Sequence, residues 1–194
     1  MKSFLLHGLN QDMLEYLKEI HNSLLTFDDG LASVYKYRND LKKITSENNL
    51  KVILFINPGI LLQAPENNIL DFIRCSVAHE KIRENSREGF LYFMNLNQLK
   101  EMISLGYEVG FHSYDHFLFT KKPKRLKDQI KIFSEDINKQ IKFAEENNID
   151  FKYFAWPYNE EIPIYKTLLI KEFGDIKFYG KERLSLPFFN LYEK

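Results

Sequence analysis

The sequence predicts an α/β protein built on a parallel sheet or barrel, and three observations carry that expectation. Short apolar runs alternate along the chain with amphipathic segments of helical spacing, the order that makes successive βαβ units. One run, Lys51-Val52-Ile53-Leu54-Phe55-Ile56, is apolar almost throughout, as expected of a strand buried on both faces. The runs also end in polar residues, which collects chemistry at the C-terminal mouth of such a sheet.

Taken in order, Gln11 to Ile20 sets Met13, Leu14, Leu17 and Ile20 against Glu15, Lys18 and Glu19, the pattern of an amphipathic helix. Leu24 to Phe27 is the first strand, and Gly30 permits the turn that ends it. Val34 to Ser46 is helical, with Tyr37, Leu41 and Ile44 on one stripe and Asn48-Asn49 as its stop. The strand Lys51 to Ile56 ends at Asn57-Pro58-Gly59. Ile69 to Val77 reads as a helix, and His79 to Gly89 as a charged surface excursion. Asn95 caps a helix that runs through Leu96, Leu99, Met102, Ile103 and Leu105 to Gly106. Tyr107 to His112 is a short strand that delivers a histidine at its end. A basic loop, Lys121 to Lys127, leads into a long helix ending near Asn147, with Ile130, Phe133, Ile137 and Ile141 inward. Phe151 to Trp156 is a strand stopped by Pro157, followed by a helix over Ile164 to Phe173 and a last strand over Ile176 to Tyr179. Five or six strands result, too few for a full eight-stranded barrel.

Length and composition narrow the class. The 194 residues suit a single domain spanning 1–194 with a sizeable core. Lys+Arg and Asp+Glu are both 27, so the net charge is zero and nucleic acid is not an expected partner. With 17 Phe and 11 Tyr the chain has the aromatic content of a folded protein, and exposed rings would suit stacking on sugars. Cys75 stands alone, so no disulfide forms within the chain. No apolar run approaches a membrane span, and the expected location is the cytoplasm. Composition leaves the oligomeric state open.

Two clusters carry chemistry. Leu24-Leu25-Thr26-Phe27-Asp28-Asp29-Gly30 ends a strand in adjacent carboxylates, whose side chains can serve different partners because successive residues of a strand face opposite ways. Alone, it reads as a strand leaving the core into an Asp-Gly turn. His112-Ser113-Tyr114-Asp115-His116 places two imidazoles four residues apart, converging on one point if the segment makes a helical turn. Two imidazoles with one carboxylate, Asp29, suit zinc or a similar divalent ion, and they leave coordination positions open for catalysis.

These residues resemble the polysaccharide deacetylases of carbohydrate esterase family four, the NodB homology domain. Thr26-Phe27-Asp28-Asp29-Gly30 matches the first motif of that family, and His112-Ser113-x-x-His116 the second. Tyr153-Phe154-Ala155-Trp156-Pro157-Tyr158 falls where the third motif, Arg-x-Pro-Tyr, belongs, so the resemblance spans about residues 24–158. It implies a distorted, partly open (β/α) barrel with fewer strands than eight. It also implies a metal-dependent hydrolase that removes N-acetyl groups from a sugar or polysaccharide intermediate, in surface polysaccharide assembly such as O-antigen or capsule. Asp28 is then the general base, Asp29, His112 and His116 hold the metal, zinc first among candidates, and a backbone N–H near Tyr158 helps stabilise the oxyanion. Trp156 and Pro157 are candidates for the sugar groove.

The chain departs from the family in two places. Ala155 stands where the third motif has the arginine that pairs with the catalytic Asp. Arg183 is a candidate replacement near the C-terminal end, although its simplest reading is a solvated surface arginine. No histidine follows His116, so the general acid of the family's last motif must come from His7, from His79 or from another group. A chain with metal ligands but no acid also fits an alternative, a catalytically impaired relative that keeps the metal and binds carbohydrate.

Overall fold

The apolar runs pair as seven parallel strands: β1 (Ser3–Leu6), β2 (Leu24–Phe27), β3 (Lys51–Ile56), β4 (Glu108–Phe111), β5 (Tyr153–Ala155), β6 (Lys177–Tyr179) and β7 (Leu184–Ser185). They come from a computed structural model that describes residues 1–116 and 125–186. Their order across the sheet is β6-β5-β4-β3-β2-β1-β7. The two edge strands, β6 and β7, are thus consecutive in the chain and joined only by Gly180 to Arg183. In a flat sheet with about 4.8 Å between strands, those edges would lie about 29 Å apart. Five chain steps from Tyr179 to Leu184 reach at most about 18 Å. The sheet therefore curls until its edges approach, giving the distorted, open (β/α) barrel that the sequence resembles.

Alternation along the buried strands divides the apolar residues between two environments. Leu24, Ile53, Phe55, Ala155 and Tyr179 point inward and fill the barrel. Leu25, Phe27, Val52 and Leu54 point outward against α1 (Gln11–Leu17) and α3 (Arg38–Glu47), which follows the short α2 (Ala32–Lys36). Further round, a four-residue turn of helix, α4 (Pro58–Leu61), follows β3, then come α5 (Cys75–Arg83) and α6 (Leu96–Ser104). Phe111 and Phe154 pack outward on Phe133 and Ile137 of α7 (Leu126–Asn147) and on Tyr165 and Leu169 of α8 (Pro163–Phe173). Each fully buried Leu or Phe of this kind contributes about 1.5–3 kcal/mol. Helix starts are built from the residues the sequence offers: Asn10 caps α1 by accepting from Met13 N at 2.9 Å, and Asn95 with Gln98 forms a capping box on α6. Asn148, left-handed at φ 54°, ends α7.

The structure corrects the sequence reading at several elements. β1 and β7 add two strands; Ser3–Leu6 is short and N-terminal, and Leu184–Ser185 has only two residues. The segment from Val34 to Ser46 is two helices, broken at Tyr37. The helix placed over Ile69 to Val77 lies instead at Cys75–Arg83, inside the stretch read as a surface excursion. On α7, Ile130 is 40% exposed while Gln140 is buried on the inner stripe. Lys121 to Lys124 of the basic loop lie outside the described residues. No described helix is long and apolar enough to cross a membrane.

Candidate active site

At the C-terminal end of β2, Asp28 continues the inward alternation of Leu24 and Thr26. Asp29, extended, would face the opposite way. Its backbone is instead left-handed, φ 71°, followed by Gly30 at φ 72°, and the turn brings both carboxylates into one cleft. Such a backbone costs an L-residue about 1–2 kcal/mol, a strain typical of functional turns. Asp28 and Asp29 are 2% and 3% exposed, so each needs a partner.

Asp28 finds its partner 155 residues away. Arg183 grips it with both arms, Nη1 to Oδ1 at 2.6 Å and Nη2 to Oδ2 at 2.9 Å. The remaining guanidinium hydrogens go to Gly180 O (3.2 Å), Thr26 Oγ1 (3.2 Å) and Asn159 Oδ1 (3.0 Å). All five donors of Arg183 are used, and the residue is buried, not a solvated surface arginine. It comes to Asp28 because the Gly180–Arg183 connection crosses from β6 to β7 over the barrel mouth. The missing arginine of the third motif is thereby replaced from another part of the chain.

Asp29 is ringed by imidazoles. His116 Nε2 and His79 Nε2 each lie 3.2 Å from its Oδ1, and His112 Nε2 lies 3.5 Å from the same oxygen. His7, at the end of β1, faces the other oxygen, Oδ2, at 3.8 Å. Burial pulls His112 and His116 down from the ordinary histidine value, against the opposing pull of Asp28 and Asp29 on His112 and of Asp29 on His116. Burial by itself would raise the Asp29 carboxyl, but the imidazoles of His116, His79 and His112 outweigh it and hold the group well below its usual range.

The histidines are aimed by the backbone around them. His112 Nδ1 lies 2.9 Å from Ala155 O. A carbonyl only accepts, so Nδ1 carries the proton and the Nε2 lone pair faces the Asp29 carboxylate. Asn57, at the end of β3, donates to His112 O and Ser113 O, and Asp136 on α7 accepts from Tyr114 N at 3.0 Å. The 112–116 segment is not the helical turn its spacing suggested: Ser113 and His116 are left-handed, φ 62° and 53°, and an irregular loop brings the two rings together.

This donor set fits a divalent transition metal. Asp29 Oδ1 is buried with no hydrogen-bond partner, and the Nε2 atoms of His79, His116 and His112 converge on it at 3.2, 3.2 and 3.5 Å. A cation is what resolves that arrangement. Of the expected ligands, Asp29 and His116 close within 4.8 Å of one another, and His112 Nε2 lies 3.5 Å from Asp29 Oδ1. His79 completes that group with Asp29 and His116, and His7 and Cys75 form a second such group with Asp29.

The remaining expectations fare differently. Tyr158 stands at the rim, 46% exposed, with its ring 4.7 Å from that of His116 and its hydroxyl 3.3 Å from Arg83 Nη1. Its backbone is left-handed, φ 58°. Trp156 is 1% exposed, packed in the core against Phe178 at 5.5 Å, and Pro157 is buried as well. Neither offers a surface on which a sugar could stack, which corrects their assignment to the substrate groove. His79 is the residue the sequence reading undervalued. Cys75, His79 and Arg83 recur every four residues along α5, a helical stripe that was legible, but the charged residues between them made the segment look solvated. Burial and the neighbouring Asp29 carboxylate push the Cys75 thiol far up, so it stays protonated.

A curled parallel barrel with a carboxylate pair and converging imidazoles at its C-terminal mouth defines an α/β protein with a hydrolytic type of site. The chain belongs to the polysaccharide deacetylase family, whose sequence profile matches residues 18–172. Similar solved structures share the fold. IcaB from Ammonifex degensii is 24% identical at a TM-score of 0.58, over 94% of this chain and 77% of that one. The deacetylase domain of BpsB from Bordetella bronchiseptica is 13% identical at 0.62, over 95% and 94%. The Streptococcus pyogenes deacetylase PplD, solved in complex with acetate, is 11% identical at 0.58, over 89% and 80%. Among curated proteins, no sequence matches. The family match excludes both His7 and Arg183, which lie outside residues 18–172.

Proposed function

We propose that this chain is a metal-dependent hydrolase that removes an N-acetyl, or other N-acyl, group from a sugar or polysaccharide intermediate, in O-antigen or capsule assembly. The observation that carries this reading is the pairing of an arginine-held carboxylate, Asp28, with a second carboxylate, Asp29, enclosed by imidazoles. Family membership and the deacetylases among the similar structures support it.

A divalent transition metal, zinc first among candidates, supplies Lewis acidity toward the amide carbonyl and a water of lowered pKa when held by Asp29, His112 and His116. Asp28 is held by Arg183 with Oδ2 3.9 Å from His112 Nε2, where it takes the proton of the attacking water. Arg183 keeps that carboxylate from turning toward Asp29. His7 approaches from the opposite side of Asp29 and is the candidate that hands a proton to the departing amine. The Tyr158 backbone N–H, on its left-handed turn, supplies a donor for the oxyanion. The cleft holds about 190 Å³ between the two carboxylates and the rim residues Tyr158 and Arg83, so the acyl group reaches the carboxylates and the sugar lies toward Tyr158 and Arg83.

The test is acetate release from N-acetylglucosamine oligomers by the wild type and by Asp28→Asn. The wild type should turn over, and the variant should lose at least a hundredfold in kcat while still binding the oligomer. A wild type that binds the oligomers and releases no acyl group would instead establish the carbohydrate-binding alternative.

A further inference from the structure

Between β3 and β4 the chain leaves the barrel and returns through α5, which lies across the mouth and turns Cys75, His79 and Arg83 toward the cleft. His79 is the deepest of these, 5% exposed. Its Nε2 lies as close to Asp29 Oδ1 as His116 Nε2 does, 3.2 Å in both cases. Yet His79 Nε2 and Asp29 Oδ1 are both buried without a hydrogen-bond partner. Leaving such groups unsatisfied is costly, and a cation between them satisfies both at once.

The spacing agrees with shared coordination. Two ligands of a tetrahedral metal at about 2.0–2.1 Å stand about 3.3–3.4 Å apart. The separations of Asp29 Oδ1 from the nitrogens of His79, His116 and His112 are 3.2, 3.2 and 3.5 Å, and the donors of Asp29, His79 and His116 all lie within 4.8 Å of one another. We propose that His79 is a further protein ligand of the metal, joining Asp29, His112 and His116. With this additional donor the protein would fill more of the ion's coordination positions and leave fewer to water or substrate. The ion should be retained more firmly than three donors would hold it. This assignment rests on the metal-dependent function proposed above.

A second role for His79 makes a different forecast. Its ring stacks on that of His116, with centroids 4.0 Å apart and planes 17° from parallel, so it could act only as a buttress. His79→Phe separates the two, because it keeps a ring and removes the nitrogen. Chelator-stripped wild type, His79→Phe and His79→Gln are titrated with zinc by calorimetry and with cobalt(II) by visible absorption, and the metal-free melting temperatures are compared. The ligand role predicts a zinc Kd at least tenfold weaker in both variants. It also predicts a changed position and intensity of the cobalt band, with metal-free melting close to wild type in at least one variant. Wild-type zinc affinity and an unaltered cobalt band in whichever variant folds would overturn the assignment and leave the three-ligand site standing. A wild type that takes up neither metal would overturn the metal-dependent function itself.

Discussion

Arg183→Met isolates the contact on which the geometry of the site depends, because it keeps the length and apolar stem of the side chain and deletes the guanidinium. Asp28 is 2% exposed and Arg183 5%, and two charge-assisted hydrogen bonds of 2.6 and 2.9 Å join them. Removing one member of such a pair strands the other charge in the interior, at a cost of about 3–5 kcal/mol. For a protein of this size each kcal/mol lowers Tm by about 2–4 °C, so the variant should melt about 6–20 °C below wild type. The exposed pair Lys18–Glu15, at the same 2.6 Å, provides the contrast, since solvent screens it and its removal should leave Tm nearly unchanged. Adding Asp28→Asn to Arg183→Met removes the stranded charge and should recover at least half the loss, a coupling that urea and thermal unfolding of the four proteins would measure. A loss below about 1 kcal/mol in Arg183→Met, or a double variant as unstable as the sum of the singles, would refute the reasoning.

Other expectations follow from the same structure. Burial pushes Asp136 up to about 6, against hydrogen bonds from Tyr165, Tyr114 N and Gln140 that pull it down. A carboxyl raised in the folded state stabilises fully below about pH 4 and loses that contribution as pH rises through about 6, at most about 3 kcal/mol for a shift of about two units. The stability of wild type relative to Asp136→Asn should therefore fall between pH 4 and 7 in urea unfolding, and a pH-independent difference would contradict this. Gly110→Ala places a Cβ 2.4 Å from the Phe55 ring and 2.9 Å from Tyr153 Cβ, and should cost about 1–3 kcal/mol in the same assay. His7→Gln should lower kcat by about a hundredfold to ten-thousandfold with zinc affinity unchanged, since His7 faces the other oxygen of Asp29; a lost metal would instead make it a ligand.

The parts of the fold that local chemistry dictates were legible in the sequence. A run such as Lys51–Ile56 has no fate but a strand covered on both sides, and Asp28, Asp29 and His112 stand out as polar groups ending apolar runs. The capping box at Asn95 announces α6. What stayed hidden depends on distant pairing. β1 is a four-residue apolar run that becomes a strand only between β2 and β7, and β7 exists only because β1 offers an edge. Arg183 reads as a surface residue until the curl of the sheet carries it to Asp28. His79 belongs to a helix whose outer side is charged, and only packing over the barrel mouth shows which side is buried. Trp156 went astray for the opposite reason: position beside a site motif suggested the groove, whereas strand alternation sends its ring outward into the core against Phe178.

The most direct test of the account is acetate release by chelator-stripped protein while zinc is added in small increments. The account predicts no turnover without metal and a linear rise that levels off at about one equivalent per chain, with Asp29→Ala silent throughout. Undiminished acetate release from the stripped protein, or turnover by Asp29→Ala equal to wild type, would contradict it.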